Sequence, residues 1–144
     1  MKTTQWICDE CRQPIVDPEE GFLEWMRKFS DETEFGMHLV HNKTGCLYER
    51  KKGFADIGNH LPYFLGHDGL TQLLQLLYDN LIPREEVIEM IKRLHTPGYE
   101  SARLYFDSAI SEGELEPRHK DHFYTQETIG WVNKWGKKRD TEND

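Results

Sequence analysis

Three cysteines and two histidines in the first third of the chain carry spacing that points to a chemistry. Cys8 and Cys11 form a C-x-x-C knuckle, and Cys46 follows His38 and His41. A turn of two residues brings both knuckle sulfurs to one side, where they can bind one ion. The other two ligands must return from elsewhere in the chain. Three thiolates and one imidazole make a tetrahedral structural zinc site of the Cys3His type. In an extended strand, residues three apart point to opposite faces, so only one of His38 and His41 can reach the ion easily. His41 is better placed, because it ends its strand and has four residues between it and Cys46. Cys8, Cys11, His41 and Cys46 are therefore the expected metal ligands, and His38 is the alternative to His41.

Four protein ligands leave no open position for water, and three thiolates make the ion a weak Lewis acid. The expected zinc is structural, and its binding free energy is folding free energy. A thioredoxin-type redox pair is a poorer reading of the knuckle. Acidic Asp9 and Glu10 lie between the sulfurs, and no strand–helix context follows. Other candidate sets carry less. His119-x2-His122 sits in a polar stretch beside Arg118 and Lys120. His60 and His67 have no cysteine or paired carboxylate nearby. Gly66-His67-Asp68-Gly69 lacks the lysine and hydroxyl of a phosphate loop. His41-Asn42 is a faint echo of an HNH nuclease, without the further histidine or aspartate such an enzyme needs. No catalytic residues are assigned.

The ligands need elements to position them. Phe22–Phe29 is rich in aromatics and reads as a strand, Ser30–Glu34 as a turn, and Phe35–His41 as a second strand, giving a hairpin. A loop over 42–45 and a short helix from Cys46 to about Lys52 would complete a treble-clef-like module over residues 5–54. Gly58, Pro62 and Gly66 interrupt any period, so 55–67 reads as a connecting loop. Its Leu61, Tyr63, Phe64 and Leu65 are expected to pack across the junction of the two parts. From Asp68 the pattern becomes helical, with Leu70, Leu73, Leu74, Leu77 and Leu81 on one face. Pro83 opens a second helix with acidic residues first and basic residues last. Thr96-Pro97 opens a third, ending at Gly113, and Thr125 caps a fourth. The fold class is α+β: a zinc-binding β-hairpin module packed with a bundle of about four helices over 68–137. Residues 138–144 read as a flexible tail.

The 144 residues carry a formal charge of −8, with 37% hydrophobic and 12% aromatic residues. That length suits one domain or two small ones. The acidic balance opposes general attraction to phosphate backbones. Arg50-Lys51-Lys52 and Lys137-Lys138-Arg139 are the local exceptions, and both read as solvated ends. No apolar run follows Met1, so neither a secretory leader nor a membrane helix is expected. An odd number of cysteines in such a chain suits reduced thiols or metal ligands, which makes the cytoplasm the default location. Trp25, Trp131, Trp135, Tyr99, Tyr105 and Tyr124 either fill the junction between module and helices or form a patch for a protein partner.

Trp6-Ile7-Cys8-Asp9-Glu10-Cys11, Gly21, Trp25, Val40-His41-Asn42 and Gly45-Cys46 resemble the start of a group of small bacterial proteins of uncharacterised activity. The second half resembles that group too, at Phe64–Leu70, at Ile82-Pro83 and at Pro97–Arg103. The likeness covers nearly the whole chain and implies a Cys8, Cys11, His41, Cys46 quartet. At fold level the N-terminal part is similar to zinc-ribbon and LIM-like treble-clef modules. The sequence thus predicts a zinc-stabilised binding module with a protein partner. The alternative is a nucleic-acid-associated regulator of bacterial or phage origin.

Overall fold

The computed structural model describes residues 5–116 and 122–142. The fold is mixed α+β, with a small antiparallel sheet and, among the described residues, five helices. The chain forms two compact units, Met1–His95 and Thr96–Asp144.

The first unit begins with two short paired strands, β1 (Trp6–Ile7) and β2 (Pro14–Ile15), with Trp6 opposite Ile15. The knuckle lies between them. Its turn is closed by the Cys8 N–H on the Gln13 carbonyl and the Arg12 N–H on the Cys8 carbonyl. A three-stranded sheet follows, in the order β4-β3-β5, built from β3 (Gly21–Lys28), β4 (Glu34–His41) and β5 (Phe54–His60). β3 is central, so Leu23 through Met26 are all buried. The expected hairpin is present as β3 and β4.

Two expectations fail between residues 46 and 67. No helix follows Cys46. Residues 43–47 make a turn on the Lys43 carbonyl, and the Tyr48 N–H then goes to Glu24 Oε2 at 2.6 Å. That bond takes an amide the helix would have needed, and the chain runs on extended into β5. The helix of a treble clef is therefore missing. The segment 55–67 is also not simply a loop, because it holds most of β5 and a 3-10 turn at Leu61–Phe64. β5 escapes notice because Gly58 and Asn59 have low strand propensity. Gly58 is there for space. A Cβ at this position would collide with the Leu23 carbonyl oxygen and lie 2.9 Å from Glu24 Cα.

α1 (Gly66–Asp79) and α2 (Arg84–His95) belong to this unit. α1 starts two residues before Asp68. It ends at Asn80, which takes the left-handed conformation at φ 56°. Leu73 is buried, while Leu74 and Leu81 of the expected face are exposed. Leu61 and Phe64 join Ile15, Leu23, Leu39, Val87 and Met90 in one core, and Tyr63 is exposed.

α2 is also tied to the knuckle. Buried Arg93 donates through Nη1 to Asp9 Oδ1 and Oδ2 at 3.0 and 2.8 Å, and through Nη2 to the Ile7 carbonyl. Trp6 Nε1 donates to the Arg93 carbonyl at 3.1 Å.

In the second unit the expected third helix is two short ones, α3 (Tyr99–Ala102) and α4 (Phe106–Ser111). Gly113 (φ 74°) follows α4, as expected. α5 spans Gln126–Glu142, so residues 138–142 of the expected tail are helical. Tyr99, Ala102, Phe106, Ile129 and Val132 form the core, with Tyr105 and Tyr124 against it. α1 and α2 thus belong to the first unit, and α3, α4 and α5 to the second.

Replacing Arg93 by Ala removes the ion pair to Asp9 and the hydrogen bond to the Ile7 carbonyl. The expected cost is about 3 kcal/mol, the low end for a broken buried pair because Asp9 is partly exposed. It is read as faster hydrogen exchange in β1 and β4 at matched denaturant.

Candidate metal centre

The sulfurs of Cys8, Cys11 and Cys46 and a ring nitrogen of His41 lie within 4.8 Å of one another, a group that could hold a metal ion. Three local structures deliver them. The knuckle turn supplies Cys8 and Cys11. The last residue of β4 supplies His41. The turn over 43–47, closed by the Cys46 N–H on the Lys43 carbonyl at 3.1 Å, supplies Cys46.

His41 is oriented by its second nitrogen. Nε2 sits 3.0 Å from the Pro14 carbonyl, an acceptor only, so Nε2 carries the proton. Nδ1 is left with its lone pair, 3.3 Å from Cys11 Sγ and 4.0 Å from Cys46 Sγ. This is the outer-shell contact that fixes the tautomer of a metal-binding histidine. The Cys8 sulfur accepts from the backbone N–H of Cys11 at 3.5 Å and of His41 at 3.4 Å.

These donors make the thiols unlike. Burial raises the Cys8 pKa, but backbone N–H groups of Cys11, His41 and Glu10 outweigh it and bring the thiol down to about 6. Burial, together with the neighbouring Cys8 and Cys11 sulfurs, pushes Cys46 up to about 11. Cys8 is thus the more readily ionised of these two thiols, and an ion held by the group would have to displace the Cys46 proton. Protons therefore compete with metal as the pH falls.

His38 is elsewhere. Its Nε2 meets the buried Glu24 carboxylate at 2.6 Å, and its ring stacks on Tyr48 at 3.9 Å. The alternation along β4 separates the two histidines as expected. Asp9 is turned away from the cysteine–histidine group by its pairing with Arg93. The roles of Pro14, Glu24 and Asp9 leave no mark in the ligand spacing, since each depends on chain pairing distant in sequence. Of the discounted pair, His119 lies outside the described residues, and His122 stacks on Phe106 at 4.9 Å. His60 packs edge-on against Phe22.

No family model, curated protein or solved structure matches the chain. Among the described residues, no helix is long and apolar enough to cross a membrane.

Metal content separates the two histidines. His41→Ala should lose the bound ion at a chelator concentration that wild type withstands, and His41→Cys should keep it. His38→Ala should keep one ion per chain while lowering stability, because it leaves Glu24 buried with one partner fewer. Elemental analysis after dialysis against chelator, with a thermal melt of each variant, reads both effects.

Proposed function

We propose that this protein is a binding module whose first unit is held together by structural Zn2+, and that it acts by docking a protein partner rather than by catalysis. The closed quartet of Cys8, Cys11, His41 and Cys46 carries this reading. A zinc tetrahedron with Zn–S bonds of about 2.3 Å and a Zn–N bond of about 2.0 Å has donor edges of roughly 3.5–3.8 Å. The 3.3 and 4.0 Å contacts from His41 Nδ1 bracket that range. Soft thiolates and an imidazole select zinc over the oxygen-loving cations. Four protein donors leave the ion no site for substrate, which assigns it to folding.

Two observations support a protein partner over nucleic acid. The chain carries −8 net charge, which repels phosphate backbones. The first unit leaves Phe29, Tyr63, Tyr78 and Leu81 exposed. Three free cysteines, two of them buried, suit a reducing compartment, in keeping with a cytoplasmic protein.

Purified protein should carry one zinc per chain. Its removal should raise hydrogen exchange across the knuckle, β3–β5 and also α2, because Arg93 ties α2 to the knuckle. The α5 helix should keep its protection. An identical exchange pattern with and without chelator, in protein shown to contain no zinc, would reject the reading.

A further inference from the structure

The two edges of the sheet are finished differently. Along β4 the outward amides of three residues are taken by side chains. Met37 N–H donates to Glu86 Oε1 at 2.7 Å, Leu39 N–H to Asp9 Oδ2 at 2.8 Å, and His41 N–H to Cys8 Sγ. Among the described residues nothing comparable closes β5. The Phe29 N–H bonds the Gly53 carbonyl, which sets the phase of the β3–β5 ladder. Odd-numbered β5 residues therefore bond β3, and even-numbered ones present N–H and C=O outward. The N–H of Phe54 turns back to Lys51, and that of His60 to the Asn59 side chain. Asp56 and Gly58 lie between them. Both are exposed, and among the described residues nothing meets their outward amides.

A recess opens at each end of this stretch. One, of about 410 Å³, is lined by Phe29, Arg50, Lys51, Phe54, Ala55 and Asp56. Arg50 and Lys51 are exposed, and neither has an ion-pair partner among the described residues. The other, of about 240 Å³, is lined by Trp25, Gly58, Tyr63, Phe64 and Leu76, with the amides of Gln72 and Gln75 on its wall. At about 3.3 Å per residue, Phe54 to Asn59 spans roughly 17 Å, the reach of a six-residue strand.

We propose that the outer edge of β5 docks an extended acidic segment of a partner protein as a fourth strand. Its carboxylate meets Arg50 and Lys51, and its apolar side chain enters the recess beside Tyr63 and Leu76. This deepens the binding-module reading and rests on it. Main-chain bonds to Asp56 and Gly58 supply affinity, and the two recesses supply sequence preference. Charge complementarity favours a foreign segment over a second copy of this chain. An antiparallel self-pair centred on Ile57 would set Arg50 and Lys51 against the partner's Gly58–Leu65 end, which holds no carboxylate.

The test uses the zinc-loaded full chain and a displayed library of random twelve-residue peptides. Enriched sequences should combine Asp or Glu with an aromatic or long aliphatic residue at a fixed spacing. Synthetic, fluorescein-labelled versions are then N-methylated one amide at a time. Methylation at alternate positions should weaken binding at least tenfold, and methylation at the intervening positions should leave it unchanged. The double variant Arg50→Glu, Lys51→Glu should also lose at least tenfold. Asp56→Pro, which removes an outward amide at an edge where proline is tolerated, should do the same with zinc content unchanged. If that variant misfolds, the methylation pattern on wild type decides. Peptides that bind wild type and Asp56→Pro alike, or show no alternation, would overturn the edge assignment and leave the binding-module reading intact. A dimer dissolved by Asp56→Pro would place a second copy there and overturn it too. No enrichment by zinc-loaded protein would count against both readings.

Discussion

Along the outer side of β4, three backbone amides two residues apart find acceptors that come from two distant parts of the chain, the knuckle and α2. Glu86 of α2 takes Met37, Asp9 of the knuckle takes Leu39, and the Cys8 sulfur takes His41. A buried amide left without an acceptor costs about 1–3 kcal/mol, so this row fixes where knuckle and helix can sit. Asp9 serves twice, accepting from Leu39 and from Arg93, and thereby joins β4, the knuckle and α2. The last member of the row is a proposed metal ligand that also accepts a backbone bond. Edge closure and the proposed ion binding thus fall on the same few residues.

That coupling explains how the N-terminal part is ordered with so little apolar material of its own. The knuckle and the turn over 43–47 contribute Cys8 and Cys46 to the core, and otherwise little that is buried. Hydrophobic burial holds β3, β4 and the helices, with Leu23, Leu39 and Leu73 fully enclosed. In the knuckle and turn loops it reaches mainly Cys8 and Cys46, with Cys11 and Leu47 packed against them. An ion shared by both loops, as proposed, would add a constraint there, and His41 is already held by Pro14 in the tautomer such an ion needs.

The grouping of Cys8, Cys11, His41 and Cys46 was legible in the sequence because its information is local: a two-residue knuckle, a strand that alternates, and a cysteine just beyond the strand's end. The β3–β4 hairpin and the two leucine- and isoleucine-rich helices were legible for the same reason, through dense periodic apolar residues. β5 was not. Its Gly58 and Asn59 argue against a strand, and the glycine makes sense only once the Leu23 carbonyl is known to lie against it. The helix expected after Cys46 failed for a tertiary reason, since buried Glu24 captures the Tyr48 amide. The division of the helices between two units was equally hidden. α2 belongs with the knuckle because of Arg93, whose partners Asp9 and Ile7 lie more than eighty residues away.

The central claim is that four protein donors close a structural zinc site. X-ray absorption at the zinc edge on the purified full chain tests it most directly. The account predicts three sulfurs at about 2.3 Å and one nitrogen at about 2.0 Å, with no exchangeable oxygen ligand. A bound water, a sulfur count below three, or protein that folds fully without zinc would contradict it.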